Sequence, residues 1–294
     1  MDSLKIKTIF WQCQWNIPNT PWTISGYSRS AFRTGFYINE LDLLLDAGPH
    51  CFKNPRTIMI THSHLDHIVS LPLTIMDGFG DVYVPEQALQ YVKNYISSMY
   101  SLNALHHINA PTYYNYKGLK AGETFQLTLN NSLLTVEIFT CDHSVPTVGY
   151  GLSEVKTKLK SEYLGMQGKE IARLKRDGVE ITHEVTYKRM AYVCDTTIKV
   201  FDLNPTLLEY PTVFIECTFL QPDEVMDAKM KSHIHWNDLK PYVESNPHIL
   251  FVPFHFSQRY KDSEIDDFFK SQQLPNIKAW TTTGLDDVES SISV

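Results

Sequence analysis

The chain has 294 residues, 43% of them hydrophobic and 20% charged, and a net charge of −7. That length permits one large domain or two ordinary ones, and the composition excludes a disordered or fibrous chain. The overall acidity is a poor nucleic-acid footprint, and no apolar run reaches the length of about 18 residues that reads as a membrane span.

The N-terminal stretch "MDSLKIKTIFWQCQWNIP" lacks a continuous apolar core, so no signal peptide is expected. Short apolar runs then end in polar residues: "TIMITHSH", "DVYVP", "LLTVEIFTCDH", "RMAYVCDT", "TVFIECT" and "HILFVPFHFS". Each reads as a buried strand. Helices are expected between them, at "PEQALQYVKNYISSMY" (85–100) behind a helix-starting Pro, at "HWNDLKPYVES", and at "SEIDDFFKSQ" with Ser263 as its cap. The alternation predicts an α/β or layered α/β/α architecture. One charged, helix-forming segment, 152–189, interrupts it and reads as an arm inserted into a single domain spanning 1–294. Within the arm, 156–176 holds seven Lys or Arg and two Glu, a net of +5, so the rest of the chain is −12. A basic segment on an acidic body can steer a polyanion, and a solvated helix face is the bland reading. Cys13, Cys51, Cys141, Cys194 and Cys217 show no CxxC spacing. A reduced, cytoplasmic setting fits, with nuclear and organellar ones open.

"THSHLDH" places His62, His64, Asp66 and His67 within six positions behind the apolar "TIMI". At strand spacing i and i+2 point the same way, so His62 and His64 should converge, with Asp66 and His67 facing a second point. Imidazole and carboxylate suit zinc. His143, Asp195 and His255 each follow another apolar run and complete two coordination spheres. His50, His106, His107, His183 and His248 lack such positions. Cys194 and Asp195 are neighbours, and strand alternation should turn only one into the site. Asp195 is the expected ligand, because a carboxylate can bridge two cations, and Cys194 the expected packing residue.

Asp46 at the end of "LLLDAG", then HxHxDH, His143, Asp195 and His255, resembles the metallo-β-lactamase superfamily. "FIECTF", "SHIHWNDL" and "HFSQRY" are similar to the ribonuclease Z family within it, and the 158–182 region looks like the short plant-type members. The resemblance implies a four-layer αββα fold, two zinc ions per chain and a homodimer. It also implies an endoribonuclease that removes 3′ trailers from precursor tRNA and leaves a 3′-hydroxyl. Carried onto this chain, His62, His64 and His143 would bind one metal, and Asp66, His67 and His255 the other. Asp195 would bridge them, and Asp46 would hold the loop from behind. Glu216 and His233 would assist the leaving group, with His233 preferred over His235. Asp66 would also orient or deprotonate the attacking water. Lys156, Lys158, Lys160, Lys169, Arg173, Lys175 and Arg176 of the arm would contact phosphates, which position RNA without specifying sequence. Tyr163 and Met166, lying among these charges, would pack on a nucleotide or, as preferred here, on the arm's own helix. The Gly-Pro-rich exosite of many bacterial members is not visible, and the basic arm stands in its place. Two other readings compete: a small-molecule hydrolase of the same fold, of β-lactamase or thioesterase type, and a basic-armed RNA-binding scaffold without catalysis.

Overall fold

A computed structural model describes residues 9–282; the first eight residues of the stretch read for a leader lie outside it. Two sheets carry the fold. The first runs, in order, through β1 (Gln14–Asn16), β2 (Thr23–Arg29), β3 (Arg33–Ile38), β4 (Leu43–Leu45), β5 (Thr57–Met59), β6 (Gly80–Pro85) and β7 (Tyr114–Leu119). The second holds β8 (Thr124–Leu129), β9 (Ser132–Thr140), β10 (Val148–Leu159), β11 (Thr182–Val193), β12 (Thr212–Glu216) and β13 (Leu250–Phe254), again in sequence order. Both are mixed: β1 to β4 and β8 to β11 pair antiparallel, whereas β4 to β7 and β11 to β13 pair parallel. The helices are α1 (Leu65–Ile68), α2 (Leu71–Thr74), α3 (Leu89–Ala104), α4 (Gly168–Arg176), α5 (Val200–Leu203), α6 (Val225–Lys231), α7 (Trp236–Ser245) and α8 (Asp262–Ser271). None of them is long and apolar enough to cross a membrane.

Three cores make the four layers. Between the sheets lie Phe36, Leu43, Leu45, Met59, Tyr192, Phe214 and Phe254. Phe36 is central there, with Tyr192, Phe254 and Trp280 edge-on at 5.7, 5.3 and 5.0 Å between ring centroids. Such pairs add about 0.5–1.5 kcal/mol each beyond area burial. Outside the first sheet, Ile58, Val82 and Val84 pack against Val92 and Ile96 of α3. Outside the second, Ala191, Val193, Val213 and Ile215 pack against Trp236 and Leu239 of α7 and Ile265 of α8. Alternation along β11 sorts the layers: Met190, Tyr192 and then Cys194 enter the inter-sheet core, while Ala191 and Val193 face α7.

Four expectations change. Pro85 ends β6 instead of opening a helix, and α3 begins at Leu89. Ser263 caps nothing: α8 begins at Asp262 with Lys261 at its N-cap, and Glu264 accepts the Lys261 N–H at 2.7 Å. β5 stops at Met59, so His62 and His64 stand on a loop beyond the strand. The arm holds more strand than helix. β10 and β11 continue as a paired hairpin from Leu152 opposite Met190 to Leu159 opposite Thr182, and only the nine residues of α4, near its tip, are α-helical. β-branched Val155, Thr157, Val185 and Thr186 on this ladder favour strand over helix.

Candidate metal centre

The polar ends of five strands meet at one edge of the sandwich. Asp46 follows β4, the HxHxDH loop follows β5, His143 follows β9, Asp195 follows β11, and His255 follows β13. This is where parallel sheets build sites, because the chain leaves the sheet there with unpaired, orientable residues. Gly48 lets the loop after β4 close on α1, since a Cβ on it would overlap the Asp66 carbonyl oxygen. His255 turns in with φ of 63°, a left-handed conformation costing about 1–2 kcal/mol for a residue with a Cβ.

Each imidazole is held from behind. Asp46 is fully buried, and its carboxylate accepts hydrogen bonds from the Thr61 N–H at 2.7 Å, the Thr61 hydroxyl at 3.0 Å, the Tyr192 hydroxyl at 2.9 Å and His67 Nδ1–H at 3.1 Å. With its proton committed to Asp46, the Thr61 hydroxyl accepts from His62 Nδ1–H at 3.1 Å. His143 Nδ1–H donates to the Ser232 carbonyl at 3.0 Å. Thr218 donates its hydroxyl to Glu216 at 2.7 Å and accepts from His255 Nδ1–H at 3.2 Å. Four rings therefore turn a bare Nε2 inward. His64 instead presents Nδ1, which stands 3.0 Å from His62 Nε2 and 3.4 Å from His143 Nε2.

Asp195 lies between two groups of donors. Its Oδ2 is 3.5 Å from both His62 Nε2 and His143 Nε2, and its Oδ1 is 3.2 Å from His255 Nε2 and 3.5 Å from His67 Nε2. Asp66 Oδ2 sits 3.5 Å from His67 Nε2 and 3.6 Å from His255 Nε2, and the Ala31 N–H fixes it at 2.9 Å. Burial would raise both carboxyls, yet facing imidazoles, His255 and His67 foremost, hold them well below the usual carboxylate range. Burial and the neighbouring His67 push the His62 pKa down, which favours the neutral ring a metal needs. His67 Nε2 and His255 Nε2 are buried with no hydrogen-bond partner. Inward nitrogens and carboxylate oxygens lie within 4.8 Å of one another in each group, and with two of the nitrogens orphaned they fit a bound cation.

Beside these groups stand Glu216 and His233. Glu216, at the end of β12, accepts from the Thr196 N–H at 2.9 Å and from His233 Nδ1–H at 2.8 Å. Burial opposes charge on His233, but the Glu216 carboxylate outweighs it and raises the pKa to about 9. The ring centroid of His233 is 5.3 Å from that of His143 and 5.5 Å from that of His255. His235 is spoken for, with Nε2–H donated to the Gln221 carbonyl at 2.7 Å and Nδ1 capping α7 through the Asn237 N–H at 3.0 Å.

No family model matches the chain. It is 30% identical over 251 residues to tRNase Z TRZ1 of Arabidopsis thaliana, covering 83% of this chain and 88% of that protein. The chain belongs to the ribonuclease Z family. A chloroplastic tRNase Z TRZ2 of the same plant is 28% identical over 260 residues, covering 83% of this chain and 70% of the relative. Among solved structures, the metallo-β-lactamase fold protein YhfI of Bacillus subtilis shares the fold with a TM-score of 0.56 at 11% identity, over 90% of this chain and 98% of its own. PqqB of Methylobacterium extorquens does so at 0.53 and 14%, over 84% of each chain. Ribonuclease Z membership makes this chain a metal-dependent endoribonuclease and sets aside the small-molecule and scaffold readings.

Of the expected site residues, the structure gathers Asp46, His62, His64, Asp66, His67, His143, Asp195, Glu216, His233 and His255. The arm residues are elsewhere. Lys156 pairs with Glu154 at 3.2 Å, Lys160 with Glu180 at 3.3 Å and Arg173 with Asp177 at 3.6 Å, while Lys158 lies over the Tyr187 ring. Lys169, Lys175 and Arg176 ride on α4 and its end. Over the whole arm, 152–189, nine basic and six acidic side chains leave +3, less than the +5 of its centre. Sequence reasoning passed over Thr61, Tyr192, Thr218 and the Ser232 carbonyl, which orient ligands. Of these Thr61, Thr218 and Ser232, each within two positions of a motif residue, carried a sequence signal. Alternation also failed to separate Cys194 from Asp195. Cys194 does pack in the inter-sheet core as expected, but β11 ends at Val193, and the Cys194 thiol donates to Asp195 Oδ1 at 3.1 Å.

Proposed function

We propose that this chain removes 3′ trailers from precursor tRNA and leaves a 3′-hydroxyl on the tRNA, using two zinc ions. The observation that carries the reading is Asp195, which offers one oxygen to each of two donor groups, with the Glu216–His233 pair alongside. His62, His64 and His143 would hold one zinc, Asp66, His67 and His255 the other, and Asp195 both, with Asp46 orienting His67. A bound zinc pair supplies Lewis-acid relief of phosphoryl charge and an acidified water.

The chain's own residues do the rest. Asp66, pinned by the Ala31 N–H, orients the attacking water and takes its proton. Glu216 keeps His233 protonated, and His233 gives that proton to the departing 3′-oxygen. A cavity of about 520 Å3 opens beside His233, lined by Ala31, Phe219, Lys231, Gln258 and Arg259, and another of about 320 Å3 lies beyond His143. Together they would let an extended RNA strand pass the centre, with Lys231 and Arg259 as phosphate contacts. The hairpin arm, built onto a single domain, docks the tRNA body through Lys156, Lys158, Lys160, Lys169, Arg173, Lys175 and Arg176. Exposed Leu73, Met76, Leu102 and Leu105, on or beside α2 and α3, offer apolar surface for a homodimer. The five free cysteines suit a reducing compartment, the cytoplasm first.

The test is incubation with a 3′-extended precursor tRNA and zinc, followed by mapping of both new ends. Cleavage behind the acceptor stem with a 3′-hydroxyl on the tRNA is expected. No cleavage, or a 3′-phosphate, overturns the reading.

A further inference from the structure

His233 hangs on a segment that the body of the protein grips mainly through polar contacts. Phe219 and His235 pair as an isolated bridge, and the Trp236 N–H donates to the Phe219 carbonyl at 2.9 Å, so residues 219–235 form a closed loop beyond β12. Helix α6 makes up its middle. Ala228 is the one buried residue of that helix, and Met226 and Met230 are 62% and 71% exposed. So short a helix is not stable by itself, and one buried methyl group holds it weakly. The loop after β13 supplies the grip. The Tyr260 hydroxyl donates to Glu224 Oε2 and accepts from the Leu220 N–H at 2.9 Å. Glu224 Oε2 also accepts from the Gln221 N–H at 3.0 Å, its Oε1 accepts from Arg259 Nη1 at 2.8 Å, and Arg259 Nη2 meets Asp227 at 2.7 Å. Glu224 is buried, where charge-assisted hydrogen bonds are strong. Arg259 stays half exposed, so its place on the cavity wall is set by the same contacts.

These contacts lie at the N-terminal end of α6, and the chemistry lies at the other end. Ser232 caps the helix in a left-handed conformation, and its carbonyl accepts from His143 Nδ1–H at 3.0 Å. The His233 N–H donates to the Ala228 carbonyl at 2.9 Å, and its ring donates to Glu216. We propose that Tyr260 and Glu224 are positioning residues for cleavage: they fasten α6 to the loop that follows His255, and through the length of the helix, roughly 10 Å, they set where His233 meets the departing 3′-oxygen. The inference rests on the reading of His233 as the proton donor. Tyr260 and Glu224 take no part in the proton transfer itself and act only through the helix. Loosening α6 also loosens the Ser232 carbonyl behind His143, so zinc affinity at that position falls with it, a loss that excess zinc makes good.

The experiment uses the full, zinc-saturated chain and two precursor tRNAs that differ in one atom, with either the ordinary 3′-oxygen or a bridging 3′-sulfur at the scissile bond. The sulfur departs as a thiolate and needs no proton, so it bypasses the acid. Tyr260→Phe and Glu224→Gln keep the side-chain shape and weaken the clamp. Each is expected to lower kcat on the oxygen substrate about 10–100-fold, the order of loss when a reacting group is misplaced by up to about 1 Å, with KM nearly unchanged. The sulfur substrate should be cut at the wild-type rate, which also shows that the variant is folded and loaded with metal. On a His233→Ala background, Tyr260→Phe should cost nothing further, because both changes act on one proton. If His233→Ala is selective for the oxygen substrate, then an unchanged kcat in the clamp variants, equal losses on the two substrates, or a loss that multiplies with that of His233→Ala overturns the positioning role alone. A His233→Ala chain that loses equally on oxygen and sulfur overturns the reading of His233 as the acid, and the positioning role with it.

Discussion

Asp46 Oδ2 stands 3.1 Å from His67 Nδ1, and both side chains are fully buried. This one contact fixes which nitrogen of His67 faces the centre, because the carboxylate can only accept and the ring must donate. Asp46→Asn replaces one accepting oxygen with an NH2 that confronts donors either way: His67 Nδ1–H and the Tyr192 hydroxyl at the Oδ2 position, or the Thr61 N–H at the Oδ1 position. We expect metal affinity at that position to fall about 10–100-fold, the usual cost of losing such a partner. Chelator competition measures it, and an unchanged dissociation constant would show that Asp46 serves the fold alone.

Metal content is the next outcome. Protein purified without chelator should carry about two zinc ions per chain by elemental analysis. Stripping them should abolish RNA cleavage and lower the melting temperature, since the inward lone pairs lose the cation that binds only the folded state. Asp195→Ala should lose at least one ion and nearly all activity. A chain that stays metal-free after reconstitution would remove the basis of the site.

The Glu216–His233 pair sets a pH limit. Because Glu216 raises the His233 pKa to about 9, His233 is protonated at neutral pH and loses its proton as the pH climbs through that value. Cleavage of RNA, whose leaving 3′-oxygen needs a proton, should therefore decline on the alkaline side. In Glu216→Gln, burial is no longer outweighed, and the decline should move down by about one unit or more. Hydrolysis of bis(p-nitrophenyl) phosphate, with a leaving group that departs unprotonated, should show neither effect. Identical alkaline limbs in the wild type and Glu216→Gln would remove His233 as the acid.

Truncation of the arm separates docking from chemistry. Leu159 and Thr182 are paired across the hairpin, so 160–181 can be replaced by a two-residue Asn-Gly turn without breaking the ladder below. The truncated chain should cleave precursor tRNA much more slowly at low substrate and show a shallower salt dependence, while bis(p-nitrophenyl) phosphate turnover stays as it was. Converting Lys169, Lys175 and Arg176 to Ala should give a smaller change in the same direction. Equal losses on both substrates would make the arm a structural element.

The order of the candidate donors was readable along the chain because it rests on short-range chemistry. HxHxDH crowds donors within one loop, and each later donor follows an apolar run that had to be a buried strand. The same runs predicted an α/β architecture, and the resemblance carried by the motifs supplied its four layers. Packing alone settles the partition of those donors into two groups, because Asp195 meets His62 and His255 only when the two sheets close on the core around Phe36. Packing likewise selects the partners that set each tautomer: Asp46 is 146 residues from Tyr192, and His143 is 89 from Ser232. No local pattern encodes such pairs. Alternation holds only while a strand lasts, and since β11 ends at Val193 it could not foretell that Cys194 and Asp195 would share one site. The arm shows the converse: its charges looked helical, but its ladder residues had partners nearly thirty positions away, and pairing outweighed local propensity.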